Sequence, residues 1–166
     1  MLSIRPMESA DAGQVFSLNA SARPNVAPLD GIELARLQAL SREHIVAVEG
    51  EAIRGYALVF AHDHAYDGEE FLALKSLIAR PFLYIDQVVV LPSVQRTGIG
   101  RQMYEAIERA ALLGRADSLC CEVNAMPPNP GSLAFHSRLG FGAVGSLATR
   151  DGRTVHLLRK RLSIAA

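Results

Sequence analysis

The chain has 166 residues, 49% of them hydrophobic and 20% charged, and its 17 basic side chains balance 17 acidic ones. That length suits one domain, and this much apolar material excludes a disordered chain. Zero net charge gives no global pull toward nucleic acid or an anionic membrane, and no run approaches the ~20 apolar residues of a membrane-spanning helix. Neither a nucleic-acid nor a membrane partner is expected. The opening MLSIRPMESADAG has no apolar core and turns polar by Glu8, unlike a secretion signal. The two cysteines, Cys120 and Cys121, are adjacent. Neighbouring strand residues point to opposite faces, so they are expected as buried thiols in a reducing interior, with a cytoplasmic location. No spacing suggests a metal site, and His62, Asp63 and His64 lack a further ligand.

In chain order, a strand is expected over Leu2 to Arg5, ended by Pro6, then a helix to about Ala22 capped by Ser9 or Asp11. Ile32, Leu34, Leu37 and Leu40 mark a second helix. His44 to Val48 and Ile53 to Ala61 read as an antiparallel hairpin around Glu49-Gly50-Glu51. Residues 62 to 81 mix charges with Phe71, Leu72, Leu74, Leu77 and Ile78, and are read as a short helix or lid. Asp67, Glu69 and Glu70 there, with His62 and His64, could draw a cationic amine, but solvated surface charges are the favoured expectation. FLYIDQVVVLP is rich in β-branched and aromatic residues and continuous, not alternating, as for a strand buried on both faces. A helix follows from Ile99 to Leu113, closed by Gly114; Ile99, Met103, Ile107 and Ala110 share one side. SLCCEVNA is a strand. Asn129 suits a helix cap with Pro130 at the first helical position and Gly140 past the end. GAVGSLAT and RTVHLLRKRL form a hairpin across Arg150-Asp151-Gly152.

The segment that carries chemistry is Gln95-Arg96-Thr97-Gly98-Ile99-Gly100, between a strand and a helix start. A helix N-terminus offers unpaired N–H groups and a positive dipole, and glycines let backbone approach a phosphate. The pattern is no Walker loop, lacking Gly-Lys-Ser/Thr, and no dinucleotide fingerprint, since Met103 stands where its third glycine belongs. An anion site for a pyrophosphate and a plain strand-to-helix turn both fit the six residues taken alone.

Two blocks in order, YIDQVVVLPSVQRTGIGRQMYEAIERAA and CEVNAMPPNPGSLAFHSRLGFGAVG, resemble the GNAT N-acetyltransferase superfamily. They look like its acetyl-CoA pyrophosphate motif and its N-x-x-A-x-x-F-Y-x-x-x-G-F motif. The resemblance implies an α/β fold over residues 1–166: a mixed, mostly antiparallel central sheet flanked by helices, with a V-shaped splay between the central strands. It implies acetyl-CoA (coenzyme A) as cosubstrate and no metal. Backbone at Val88, Val89 and Val90 would pair with the pantetheine arm. Gln95, Arg96, Thr97, Gly98, Ile99, Gly100 and Arg101 would hold the pyrophosphate. Asn124, Asn129 and Phe135 fall at further CoA contacts.

The family's usual tyrosine after the phenylalanine is His136 here. A phenol titrates near 10 and an imidazole near 6.5, so His136 can donate a proton as imidazolium, accept one as neutral imidazole, or merely pack beside the cofactor. A base is needed too, since an ammonium cannot attack a thioester. Asp86, sharing a strand face with Tyr84, Val88 and Val90, is the first candidate and Glu122 the second; an ion-paired strand-end carboxylate is the alternative for Asp86. The reading is transfer of an acetyl group to a primary amine by direct attack in a ternary complex, Cys120 and Cys121 taking no part. A small metabolite or amino acid is the favoured acceptor, and a homodimer through the C-terminal hairpin is expected. A non-catalytic CoA-binding sensor of the same fold, or a transferase using a longer acyl-CoA, are the alternatives.

Overall fold

The computed structural model describes residues 1–163. Its elements run β1 (Leu2–Pro6), a 3-10 turn (Ser9–Asp11), α1 (Ala12–Ala22), α2 (Gly31–Leu40), β2 (Ile45–Glu49), β3 (Ala52–Ala61), α3 (Glu69–Leu77) and β4 (Phe82–Val90). A second 3-10 turn (Pro92–Val94), α4 (Ile99–Leu113), β5 (Ser118–Met126), α5 (Pro130–Arg138), β6 (Gly142–Ala148) and β7 (Thr154–Arg161) complete them. The strands form a seven-stranded sheet in the order β1-β2-β3-β4-β5-β7-β6. β1 with β2, β2 with β3, β5 with β7 and β6 with β7 run antiparallel, whereas β4 and β5 are parallel. The expected mixed, mostly antiparallel α/β fold with flanking helices is observed.

The chain forms two compact units, Met1–Phe60 with Gln87–Ile107, and Ala61–Asp86 with Glu108 onward. In the first, α1 buries Val15, Leu18 and Asn19 and α2 buries Leu34 and Leu37, the i, i+3, i+4 spacing of a single helix face. β3 is buried from Gly55 through Phe60. The start of α1 departs from the expected cap. Asp11 makes no side-chain cap, because Arg5 grips both its oxygens at 2.8 Å and the Glu8 N–H donates to the same carboxylate. The helix therefore enters through a 3-10 turn. α2 is capped instead by Asp30, whose side chain accepts from the Glu33 N–H at 2.8 Å.

A buried polar knot ties α1, β3 and β4 together. Gln87 accepts hydrogen bonds from the Tyr56 hydroxyl (2.8 Å) and from the Asn19 amide (3.3 Å), and donates to the Ala27 carbonyl (3.0 Å). Asn19 also donates to Ala27 (2.9 Å) and accepts from the Leu29 N–H (3.1 Å). Two side-chain amides thus satisfy the backbone of the loop after α1, which buries polar groups without leaving them orphaned.

In the second unit α3 packs Phe71 and Leu74 inward, and the first four residues of both β4 and β5 are buried. β7 places Arg159 and Arg161 on one side and Lys160 on the other, where Lys160 donates to Glu108. The β6–β7 hairpin closes at Thr149, whose N–H reaches the Arg153 carbonyl at 2.8 Å, and Gly152 supplies a φ of +87°.

Gly55 is fixed by crowding: a Cβ there would stand 2.8 Å from the Val89 carbonyl oxygen and 3.0 Å from the Met103 sulfur. Gly55→Ala is expected to cost about 1–3 kcal/mol of stability, read as a lower urea midpoint with unchanged slope. An unshifted midpoint would show that β3 and β4 do not approach so closely.

Candidate functional site

After β4 the chain turns through Pro92–Val94. The Gln95 side chain donates to the Val90 carbonyl at 3.2 Å and the Thr97 hydroxyl to the Val94 carbonyl at 2.6 Å, both bracing the loop internally. Arg96 and Gly98 take positive φ, +65° and +90°. Gly98 is set by that conformation and not by space, since nothing lies within 4 Å of where its Cβ would be. A left-handed arginine is uncommon and costs of order 1 kcal/mol, the kind of strain that gathers at ligand sites. Ile99 anchors the helix start, 8% exposed, while residues 95–98 are exposed. The Gln102 N–H reaches back to the Gly98 carbonyl at 3.0 Å, so the amides before it in the first turn of α4 precede the helix's own ladder. These amides, the helix dipole and Arg96 suit a pyrophosphate. Arg101 is less committed to an anion than expected, because its Nε donates to Glu105 at 3.1 Å.

Both central strands change character at the same level. The β4–β5 pairs run from Phe82↔Ser118 to Ile85↔Cys121. The next residues, Asp86 and Glu122, are half-buried; beyond them burial alternates on β4, while β5 opens after Val123. The continuous burial expected for all of β4 therefore holds only through Ile85. Gln87 and Val89 stay buried, whereas Asp86, Val88 and Val90 share the more open face. Cys120 and Cys121 are free and buried, and burial pushes both thiols up, Cys120 to about 12.

One phenol joins the two carboxyls. The Tyr84 hydroxyl lies 2.6 Å from a Glu122 oxygen and 3.2 Å from an Asp86 oxygen, and Tyr66 donates to the same Asp86 oxygen at 3.1 Å. Tyr66 stacks on Tyr84 with ring centroids 6.3 Å apart. Gly68 makes room for that ring, as a Cβ there would fall 2.4 Å from it. Burial, then the neighbouring carboxylates, raise both phenols, which stay protonated and act as donors. Burial first, then the charges of Asp86 and Glu70, hold the Glu122 carboxyl well above the usual range; the Tyr84 hydrogen bond and Arg153 oppose them. Two neighbouring carboxyls and one shared phenol favour a single negative charge over two.

Arg153 closes the cluster. It donates to Asn124 Oδ1 at 2.9 Å, to Glu70 at 3.3 Å and to Asp151 at 2.9 Å. Glu70, expected as a solvated charge, has a side chain only 13% exposed because Arg153 draws it in. Glu69 accepts from the Arg150 N–H at 3.2 Å. Tyr66, Glu70 and Arg153 had no motif to mark them; the period-2 neighbour of Asp86, Tyr84, was the one sequence signal. Asn129 caps α5 as its position implied, accepting from the Ser132 N–H at 3.3 Å.

His136 is 3% exposed, edge-on to Phe135 (5.3 Å) and Phe141 (5.4 Å), and its Nδ1–H donates to the Ser132 carbonyl at 2.8 Å. Burial lowers its pKa, outweighing the Ser132 bond. Its two candidate proton roles are thus unequal, for burial disfavours the imidazolium that would donate. Asp86 and Glu122 are brought together by Tyr84, whereas the ring of His136 is held by its own helix and Phe141. Among the described residues no group of three or more His, Cys, Asp or Glu side chains could hold a metal, and no helix is long and apolar enough to cross a membrane.

The family model for the acetyltransferase (GNAT) family matches residues 14–141. The chain belongs to that family. No curated protein matches the sequence. Among solved structures it is similar to the ribosomal-protein-S18-alanine N-acetyltransferase of Escherichia coli, with 18% identity, TM-score 0.73, and 100% of this chain and 97% of that one covered. Arabidopsis thaliana Naa50, solved with the bisubstrate analogue CoA-Ac-MVNAL, has 15% identity and TM-score 0.71, covering 97% and 99%. YncA of Salmonella typhimurium, solved with its cofactor acetyl-CoA, has 18% identity and TM-score 0.70, covering 99% and 96%. At these identities the likeness is one of fold.

Between its ordinary and its raised pKa, Glu122 keeps its proton in the fold where the unfolded chain has released it. The folded state then binds more protons, and stability falls as pH rises from about 4.5 through the raised folded value. Relative to wild type, Glu122→Gln is expected to become progressively more stable across that window in urea melts at successive pH values. A constant difference between the two would contradict the buried, protonated carboxyl.

Proposed function

We propose that this GNAT domain transfers an acetyl group from acetyl-CoA to a primary amine, by direct attack while both substrates are bound. The observation that carries the reading is the turn from Gln95 to Arg101, with Arg96 and Gly98 in the left-handed region at the mouth of α4. Its first-turn amides would hold the pyrophosphate, and glycine at 98 keeps that approach free of side chain. Backbone at Val88, Val89 and Val90 would run beside the pantetheine arm, with Asn124, Asn129 and Phe135 as further contacts. Acetyl-CoA supplies the activated acyl group; the chain supplies position and proton transfer.

The Asp86–Tyr84–Glu122 cluster is the proton acceptor of this reading. A carboxyl raised well above the usual range is, once deprotonated, a stronger base for an ammonium than an ordinary one. Asp86, with Tyr66 and Tyr84 donating to it, shares the charge. The acidic surroundings, Asp86, Glu122 and Glu70, favour a cationic acceptor, and a small amine or amino acid remains our preferred class. His136 enters as a neutral, packed imidazole that shapes the wall beside Phe135.

Calorimetric titration tests the cofactor assignment. Wild type is expected to bind acetyl-CoA at micromolar Kd, and a Gly98→Glu, Gly100→Glu double variant to lose at least tenfold while retaining its circular dichroism spectrum. Equal binding by both would remove the pyrophosphate from this loop. The role of His136 is tested separately: His136→Phe is expected to keep kcat within about tenfold of wild type, and a loss of 10²–10⁴-fold would make the imidazole a proton carrier.

A further inference from the structure

The second unit contains a cavity of about 490 Å³ at the opposite end of the β4–β5 ladder from Asp86 and Glu122, lined by Arg80, Arg159 and Arg161 with Asp117, Leu77 and Leu162. Glu122 lies four steps along β5 from Ser118, a rise of ~13 Å, so this site is separate from the carboxyl cluster. The strand period puts Arg159 and Arg161 on one side of β7, and Arg80 precedes β4. Among the described residues three guanidinium groups and one carboxylate line it, a surplus of two positive charges.

Their hydrogen bonds leave a specific deficit. Asp117 is pinned through its backbone, its N–H to the Pro81 carbonyl (3.1 Å) and its carbonyl to the Leu162 N–H (2.8 Å). Its Oδ2 accepts from Arg80 Nε, but its Oδ1 is buried with no hydrogen-bond partner, 3.6 Å from Arg159. Arg159 donates its Nε to the Ser118 hydroxyl at 3.1 Å. Arg161 is exposed and has no partner among the described residues, and Arg80 is 74% exposed with its Nη groups unengaged. A surplus of guanidinium over carboxylate in a concave site favours a bound anion. A dianion would supply the missing negative charge.

We propose that this cavity binds a phosphomonoester, the phosphate taken by Arg80 and Arg161 in the forked geometry guanidinium offers. The apolar wall of Leu77 and Leu162 covers the carbon skeleton. The site goes beyond acetyl transfer and does not depend on it, because it lies on different residues from the α4 loop.

The test is a thermal-shift titration with ribose 5-phosphate, inorganic phosphate and sodium chloride at matched ionic strength. Wild type is expected to gain several degrees with ribose 5-phosphate, less with phosphate and none with chloride. Arg161→Gln, with Arg80→Gln as a second variant, is expected to lose the gain, each measured against its own ligand-free Tm. Gly98→Glu is expected to keep the gain, which separates this cavity from any phosphate held by the α4 turn. No gain in wild type at 10 mM, a gain untouched by both arginine variants, or a gain abolished only by Gly98→Glu would each overturn the proposal.

Discussion

The Tyr84 hydroxyl stands between two carboxyls that would otherwise repel each other, at the level where the β4–β5 ladder ends. That placement constrains everything around it. Tyr84 must stay a phenol, which burial ensures, and Glu122 must carry a proton more readily than an ordinary carboxyl. Tyr66 then supplies Asp86 with a second donor, and Gly68 is required because any Cβ would strike the Tyr66 ring. Arg153 balances the charge through Glu70 and at the same time holds Asn124 by its side-chain oxygen. The members of a cluster this interlinked are coupled, and single substitutions within it should not add.

The other strand face is governed by neutral amides. Gln87 follows Asp86 and points the opposite way, into the knot with Asn19 and Tyr56 that holds the loop after α1. Adjacent residues on one strand thus serve different ends, charge on the open face and loop anchorage on the buried one. The alternation that begins at Asp86 makes this division possible, and a fully buried strand could not have carried it.

The order of the elements was legible because each carried strong local signals: Asp-Gly at the last hairpin, Asn129-Pro130 at the start of α5, and the helical period of α4. The Gln95 to Arg101 turn was legible for a chemical reason, since glycine at 98 leaves a conformational trace in the sequence. The cluster around Tyr84 was only half legible. Asp86 and Glu122 were marked by their strands, but Tyr66, Glu70 and Arg153 reach them from segments whose folding follows no period. Glu70 reads as a surface charge until Arg153, 83 residues away, is brought beside it. The entry into α1 was misread for the same reason, because nothing local says that Arg5 will occupy the carboxylate of Asp11. Long-range ion pairing, not propensity, decided each of these.

The account rests on the shared carboxyl cluster acting as the proton acceptor for an amine. The most direct measurement is the pH profile of kcat/KM for acetyl transfer to a primary amine, for wild type and Glu122→Gln. The account predicts that Glu122→Gln loses about 10²–10⁴-fold in kcat/KM at neutral pH, with acetyl-CoA binding intact, and that the lower limb of the profile shifts or disappears. A variant with wild-type kcat/KM and an unchanged profile would contradict it.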